Sequence, residues 1–360
     1  MTTDGGTLVS ARPATGRIGR TRRRPILLAG FGLIGLAVLV AFGVAMGSVA
    51  IAPLDTLAIV CHRLFGIDLG RSWSAASETI VWDLRVPRVL MSMVVGTALA
   101  VAGATFQGLL RNPLADPYVL GTASGAALGA AIAVLLPVRF VILGFGLLQG
   151  LAFVGALASI YAVYRLSRIG GLSPLTSLLL TGYAVGSLLA AGLAMAMYLS
   201  GTALRQIFSY LLGGFDTASW PQLAATLPLV AIGCVLILLR ARSLNGLLLG
   251  EEAAVHLGID VPRERAILLA LASLVTAAAV AVSGLIGFVG LVVPHVVRLI
   301  VGPSARLVLP LSALGGALLL AFADVIARSA GEIPVGIVTA LIGAPFFIVL
   351  LRRARTGYEL

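Results

Sequence analysis

Residues 84–125, LRVPRVLMSMVVGTALAVAGATFQGLLRNPLADPYVLGTASG, carry an uncharged run from Val89 to Leu110, bracketed by Arg85 and Arg88 on one side and Arg111 on the other. Twenty-odd residues at about 1.5 Å each cover a bilayer core of roughly 30 Å. The two ends therefore lie on opposite membrane faces, and one arginine group falls where positive charge is normally scarce.

Working outward, the chain repeats this pattern. Its 360 residues are 59% hydrophobic and 11% charged, with a mean hydropathy of +1.09. A soluble domain carries about 25% charge. The expectation is an all-α polytopic membrane protein with a single membrane domain, since no long polar segment leaves room for another. Spans are predicted at 26–48, 89–110, 118–137, 140–164, 175–199, 221–240, 266–285, 286–301, 308–323 and 334–351, about ten in all. Residues 1–25 read as a disordered cytoplasmic N-terminus, 26–353 as the ten-helix transmembrane domain, and 354–360 as a cytoplasmic tail. A cleaved signal peptide is the competing reading of the first span, but its apolar run exceeds the h-region of about 7–15 residues. Stretches 50–86 and 203–220 read as extramembranous and partly helical.

The net charge is +11, and all 25 basic residues are arginine. With the N-terminus inside, 18 arginines fall on the cytoplasmic side and 7 outside, while the acids divide evenly. That bias supports ten spans with both termini in the cytoplasm. Nucleic-acid binding is excluded because the arginines are scattered between apolar runs. The absence of lysine removes the phosphate-loop lysine that nucleotide hydrolysis of that type needs. Cys61 and Cys234 read as unrelated small apolar residues. Gly121, Gly125 and Gly129 recur every four residues and read as close helix packing, as do Gly96, Ala100 and Gly103.

Few ionisable groups lie within the spans, unlike an ion-coupled carrier. His295 reads as a packing histidine, and Cys61-His62 lacks metal-site spacing. Asp324 and Arg328 stand one turn apart and are expected to pair. No nucleophile–base set appears, so no catalytic residue, metal site or bound cofactor is expected. Arg85, Arg88 and Arg328 flank span ends on the outer face. Either they snorkel to lipid phosphates and pair with Asp83 and Asp324, or they face an acidic soluble partner. The inner connection 241–265 contains a short helix opened by Glu251 and Glu252. With Leu247–Leu249, Ala253, Ala254, Val255 and Leu257 it is too apolar for a solvated linker, which points to docking into another protein.

LRVPRVL (84–90), GATFQGLLRNPLADPYVLG (103–121), LLLGEEAAVHLGI (247–259), GLIGFVGLVVPHVVRL (284–299) and ADVIAR…EIPVGIVTALIGAPFFIVLL (323–351) together resemble the FecCD-type permeases, in the family's order and over roughly 26–353. These are membrane subunits of binding-protein-dependent ABC importers for ferric siderophores, haem and cobalamin. The resemblance implies the type II ABC importer permease fold in a bacterial cytoplasmic membrane. It implies a second, identical or homologous permease subunit, two ATPase subunits that hold the ATP and magnesium, and an extracytoplasmic binding protein. It makes Glu251, Glu252, Ala253, Ala254 and Gly258 the ATPase-coupling helix, and Arg85, Arg88 and Arg328 the binding-protein docking set. Asn112, Leu114, Leu175 and Thr176 correspond to cytoplasmic gates, although Ser173-Pro174-Leu175 departs from the polar sequence expected there. Met195, Met197 and Tyr198 fall near the pathway. The expected cargo is a ferric siderophore, with haem or cobalamin as alternatives. A secondary transporter or a non-transporting scaffold is the reading of another class.

Overall fold

The computed structural model describes residues 18–47, 49–138, 140–142, 144–167 and 174–356; the segment read as a disordered N-terminus lies largely outside them, as do residues 357–360. Helix α1 spans Ile18–Ala45 and α2 spans Pro53–Phe65. Helix α3 is continuous over Ala75–Leu109. Then follow α4 (Thr122–Leu135), a hairpin of β1 (Val141–Ile142) and β2 (Phe145–Gly146), α5 (Leu147–Leu166) and α6 (Pro174–Leu199). An outer helix α7 (Leu204–Leu212) precedes α8 (Trp220–Leu239). Two short helices, α9 (Ala241–Leu248) and α10 (Glu251–His256), lead into α11 (Val261–Ser283). The chain closes with α12 (Val289–Val301), α13 (Ala305–Ser329) and α14 (Val335–Thr356).

Seven of these helices are long and apolar enough to cross a membrane, and three shorter apolar ones accompany them: α4, α12 and the Val335–Leu350 part of α14. The protein is therefore an all-α polytopic membrane protein. Helices α3 and α11 form its centre, with 78% and 72% of their apolar windows buried, whereas α1 is covered over only 6% and faces outward.

Lipid is as apolar as leucine, so helices in a bilayer associate through close packing of small residues. The contact of α3 with α13 and α12 shows this. A Cβ on Gly96 would stand 2.1 Å from the Gly316 carbonyl oxygen, and one on Gly103 only 1.9 Å from that of Gly290. Helices α4 and α5 meet the same way, Gly125 against Gly155.

Three elements depart from the regular spans expected from hydropathy. Helix α3 starts 14 residues before Val89, because a π-helical turn over Thr79–Arg85 joins its outer part to the span. The wider i→i−5 bonding, Val86 N–H to Val81 O, makes room for Pro87, which donates no bond and crowds the preceding turn of an ordinary helix. The eighth segment is half unwound: 284–288 is non-helical, and α12 begins only at Val289. Phe288 stands there at φ 69°, its Cβ 2.3 Å from where a Gly343 Cβ would be. The third segment is likewise a short helix preceded by an irregular stretch, 110–121.

Gly103→Ala drives a methyl into a backbone carbonyl and is expected to cost about 1–3 kcal/mol. Gly150, with nothing within 4 Å of its Cβ position, is the control. Thermal melting in detergent should show Gly103→Ala lowered and Gly150→Ala unchanged or raised; equal melting would refute the backbone contact.

Candidate functional site

At the end that the arginine asymmetry assigns to the outer face, α1 finishes with no basic residue in its last turn. A helix terminus leaves about four carbonyls unmet, and it favours cations. Guanidinium groups from two other helices supply both needs. Arg85 of α3 donates to the carbonyls of Val44 (3.1 Å) and Ala45 (2.9 Å) and to that of Val49. Arg328 of α13 donates to Gly43 O (2.8 Å) and Met46 O (3.0 Å). Gly47 leaves space for this: a Cβ there would fall 2.7 Å from Arg85 Nη2. Asp324, fully buried, holds Arg88 Nε at 2.9 Å and Arg328 Nε at 3.1 Å, the latter across the one-turn spacing seen in the sequence. Arg88 also reaches Asp216 at 3.0 Å, on the loop between α7 and α8.

The three outer arginines are thus brought together, but they are buried, and most of their donors are taken up inside the chain. They do not stand as free forks on the surface. Glu332 also acts electrostatically on Arg328, so three guanidinium groups face three carboxylates and the cluster is close to neutral, while Arg328 Nη2 has no hydrogen-bond partner in it. Asp216 was not singled out in the sequence; its GGFDTASWP loop signalled a turn and no ion pair.

At the opposite end, which the same asymmetry assigns to the inner face, the short helix α9 ties the bundle together. Arg111 donates to Leu247 O (3.0 Å), and Asn245 Oδ1 accepts the N–H of Ala305 at the start of α13 (2.7 Å). One turn before Arg111, buried Gln107 accepts from Arg298 (2.7 Å) and donates to Leu291 O (3.2 Å) and, more weakly, to Gly290 O (3.4 Å). Gln107 therefore clamps the first turn of α12 beside the unwound segment. Tyr118 fastens the other irregular stretch to it, its hydroxyl donating to Ile286 O (3.0 Å). Sequence reading passed over Gln107, Arg298 and Tyr118 as isolated polar residues. The four-residue spacing of Gln107 and Arg111 was the available signal.

Beyond α9, Gly250 (φ 120°) turns the chain into α10. Ala254 is buried beneath it, whereas Glu252, Val255 and Leu257 are exposed, with Leu249 beside them. Glu251 accepts from Arg265 at 2.7 Å, and that hydrogen bond holds its carboxyl below the usual range. Ala253 is half-buried, and Gly258 ends the turn at φ 77°. An apolar patch bordered by Glu251 and Glu252 thus projects from this end of the bundle.

The residues expected at the gates lie on two elements, the 110–121 stretch and the start of α6. Asn112 is exposed and its Oδ1 accepts from the Leu114 N–H (2.9 Å); Asp116 does the same for Tyr118 (2.8 Å), so each X-Pro step is fixed by its own side chain. Thr176 is exposed in the first turn of α6; Ser173 and the Leu175 side chain lie outside the described residues. Tyr198 and Met195 project from the outer half of α6, with Met197 partly covered. Among the described residues no three His, Cys, Asp or Glu gather as a metal site. A cavity of about 1030 Å³ opens between α4, α5, α7 and the 281–284 turn; Gln149, Gln206, Ser209 and Asp216 supply polar groups.

The model of the FecCD transport family matches residues 35–353. The cobalamin import system permease protein BtuC of Halobacterium salinarum is 46% identical over 301 residues, covering 83% of this chain and 79% of that protein. The hemin transport system permease protein HmuU of Yersinia pestis is 40% identical over 344 residues, covering 93% and 98%. Among solved structures, the inward-facing conformation of a putative metal-chelate type ABC transporter superposes with a TM-score of 0.78 at 29% identity, covering 91% of this chain and 99% of that one.

Removing the carboxylate at the centre of the outer cluster should be costly. Asp324→Ala leaves Arg88 and Arg328 buried without their counter-ion, a loss of about 3–5 kcal/mol. Asp216→Ala, at the exposed rim, should cost about 1 kcal/mol or less. Melting of the two variants in detergent checks this; equal losses would remove Asp324 from the central position.

Proposed function

The chain belongs to the FecCD transport family and is a permease of an ABC importer; from that premise we propose that it passes a metal chelate, delivered by an extracytoplasmic binding protein, across the cytoplasmic membrane. The observation that carries the mechanism is α10. Its exposed Leu257 and Val255 with neighbouring Leu249 make an apolar patch on the inner face, bordered by Glu251 and Glu252. Such a patch suits the cleft of a soluble ATPase. The chain has no lysine for a phosphate loop, so the ATP and magnesium belong to that partner.

The same reading gives α6 and α14 to a second permease subunit. Tyr183, Leu188, Tyr198 and Leu341 are all strongly exposed. The Arg85, Arg88 and Arg328 cluster at the outer end is where an acidic binding protein would dock; the unpartnered Nη2 of Arg328 supports that reading. Asn112, Leu114, Leu175 and Thr176 remain the proposed inner gate.

For the cargo we propose a metal-bearing macrocycle, a corrinoid or haem. The relatives cited above are named for cobalamin and for hemin. A ferric siderophore belongs to the same chelate chemistry and is the second reading.

Two measurements test this. Glu252→Arg and Leu257→Asp alter exposed positions, so insertion and melting should stay unchanged. Cargo-stimulated ATP hydrolysis should fall about tenfold, a docking loss near 1.4 kcal/mol. Wild-type stimulation in both variants would remove α10 from the coupling role. Deleting the gene should abolish uptake of labelled cobalamin or haem and leave siderophore-bound iron uptake intact; the opposite result would replace the macrocycle with a siderophore.

A further inference from the structure

Helix α2 is amphipathic in the wrong sense for a helix facing water. At about 100° per residue, Leu54, Leu57, Cys61, Leu64 and Phe65 fall within an arc of roughly 120°. That arc carries no polar residue, yet it is the exposed one: Phe65 is 71% and Leu54 60% accessible. The polar residues of the helix, Asp55, Thr56, His62 and Arg63, lie off the arc. A surface helix in water shows the reverse. Ile67 and Leu69, in the turn that follows, are exposed as well.

We infer that α2 lies in the outer leaflet of the membrane, its apolar arc in the boundary between headgroups and acyl chains. Three observations select lipid over a protein partner. The first is depth. Ile59, on the opposite side of the helix, packs with Val44, Val81 and Val89. Val44 is in the last turn of α1, and the 21 residues from Pro25 to Ala45 extend about 32 Å at 1.5 Å each, the thickness of the hydrocarbon core. The buried side of α2 is therefore level with the outer boundary.

The second observation is continuity. Phe42, Met46 and Val49 are exposed at the end of α1 and lead into α2, so one apolar surface runs from a lipid-facing span onto the helix. The third is charge. The arc has none to offer an acidic or basic partner, and four of the neighbouring charges are paired with each other: Arg63 with Glu78 (2.5 Å) and Arg71 with Asp55 (2.7 Å). Trp73 stacks edge-on with His62 at 5.6 Å and donates its indole N–H to Glu78 (3.2 Å), an amphipathic ring placed as aromatic residues are at headgroup level. Buried apolar area of this kind holds interfacial helices on bilayers.

The test uses nitroxide labels on the full chain in phosphatidylethanolamine–phosphatidylglycerol vesicles. Leu57→Cys and Phe65→Cys are labelled in a Cys61→Ala, Cys234→Ala background, with exposed Asp68→Cys as the aqueous reference. Relaxation by oxygen relative to a water-soluble nickel chelate should be several-fold greater at Leu57 and Phe65 than at Asp68. Nickel access at Leu57 and Phe65 equal to that at Asp68 would place the face in water and overturn the inference. Exclusion of both reagents would mean that protein covers the face, and would overturn it equally. Either failure leaves the transport reading untouched.

Discussion

The carbonyls at the end of α1 need hydrogen-bond partners, because a helix terminus leaves its last carbonyls unmet and an unmet buried backbone group costs several kcal/mol. The chain meets them in trans. Arg85 comes from α3 and Arg328 from α13, and Asp324 holds Arg328 and Arg88 in place. One set of hydrogen bonds therefore fixes three helices at their outer ends. Position explains the unusual outer charge: these arginines are where they are because a helix terminus is there.

From this cluster the pair α3–α13 runs inward as a unit. Gly96 and Gly316 bring the two backbones into contact midway. At the inner end both helices are fastened to α9, through Arg111 and through Asn245. The helix proposed to dock on an ATPase and the cluster proposed to meet a binding protein are thus joined by one stiff pair. Interactions between charged and polar groups sit at its two ends, and the middle is packed through small residues. Such a pair moves as a rigid body more readily than it bends.

Much of this could be read from the chain. Long uncharged runs, arginine asymmetry and glycine spacing pointed to a helical membrane bundle, and EEAAVHLG stood out as a helix too apolar for its place. Other features could not be seen. Hydropathy averages over a window, so it reads 286–301 as one span although 284–288 is unwound; an extended segment and a helix are equally apolar. The joining of 75–85 to the span after it depends on a π-turn, which leaves no mark in composition. The arginines were visible as anomalies, but their partners are carbonyl groups of another helix, and a sequence does not show where backbone acceptors are left open. Gln107 was missed for a similar reason: two of its three bonds go to the backbone of α12.

The unwound segment is also where the bundle is best placed to change shape. Backbone outside a helix is tolerated at membrane depth only where protein or a cavity surrounds it. Here Tyr118 supplies side-chain hydrogen bonds to Ile286 and Gln107 holds the adjoining first turn of α12, and side-chain bonds can be exchanged without unfolding a helix. Gln107 lies one turn from Arg111, the residue that reaches α9. A displacement of the inner-face helices that pulls on Arg111 therefore acts on the same turn of α3 that holds α12. With few ionisable groups within the spans to drive movement by protonation, a mechanical linkage of this kind would carry energy from the proposed ATPase contact at α10 to the middle of the membrane.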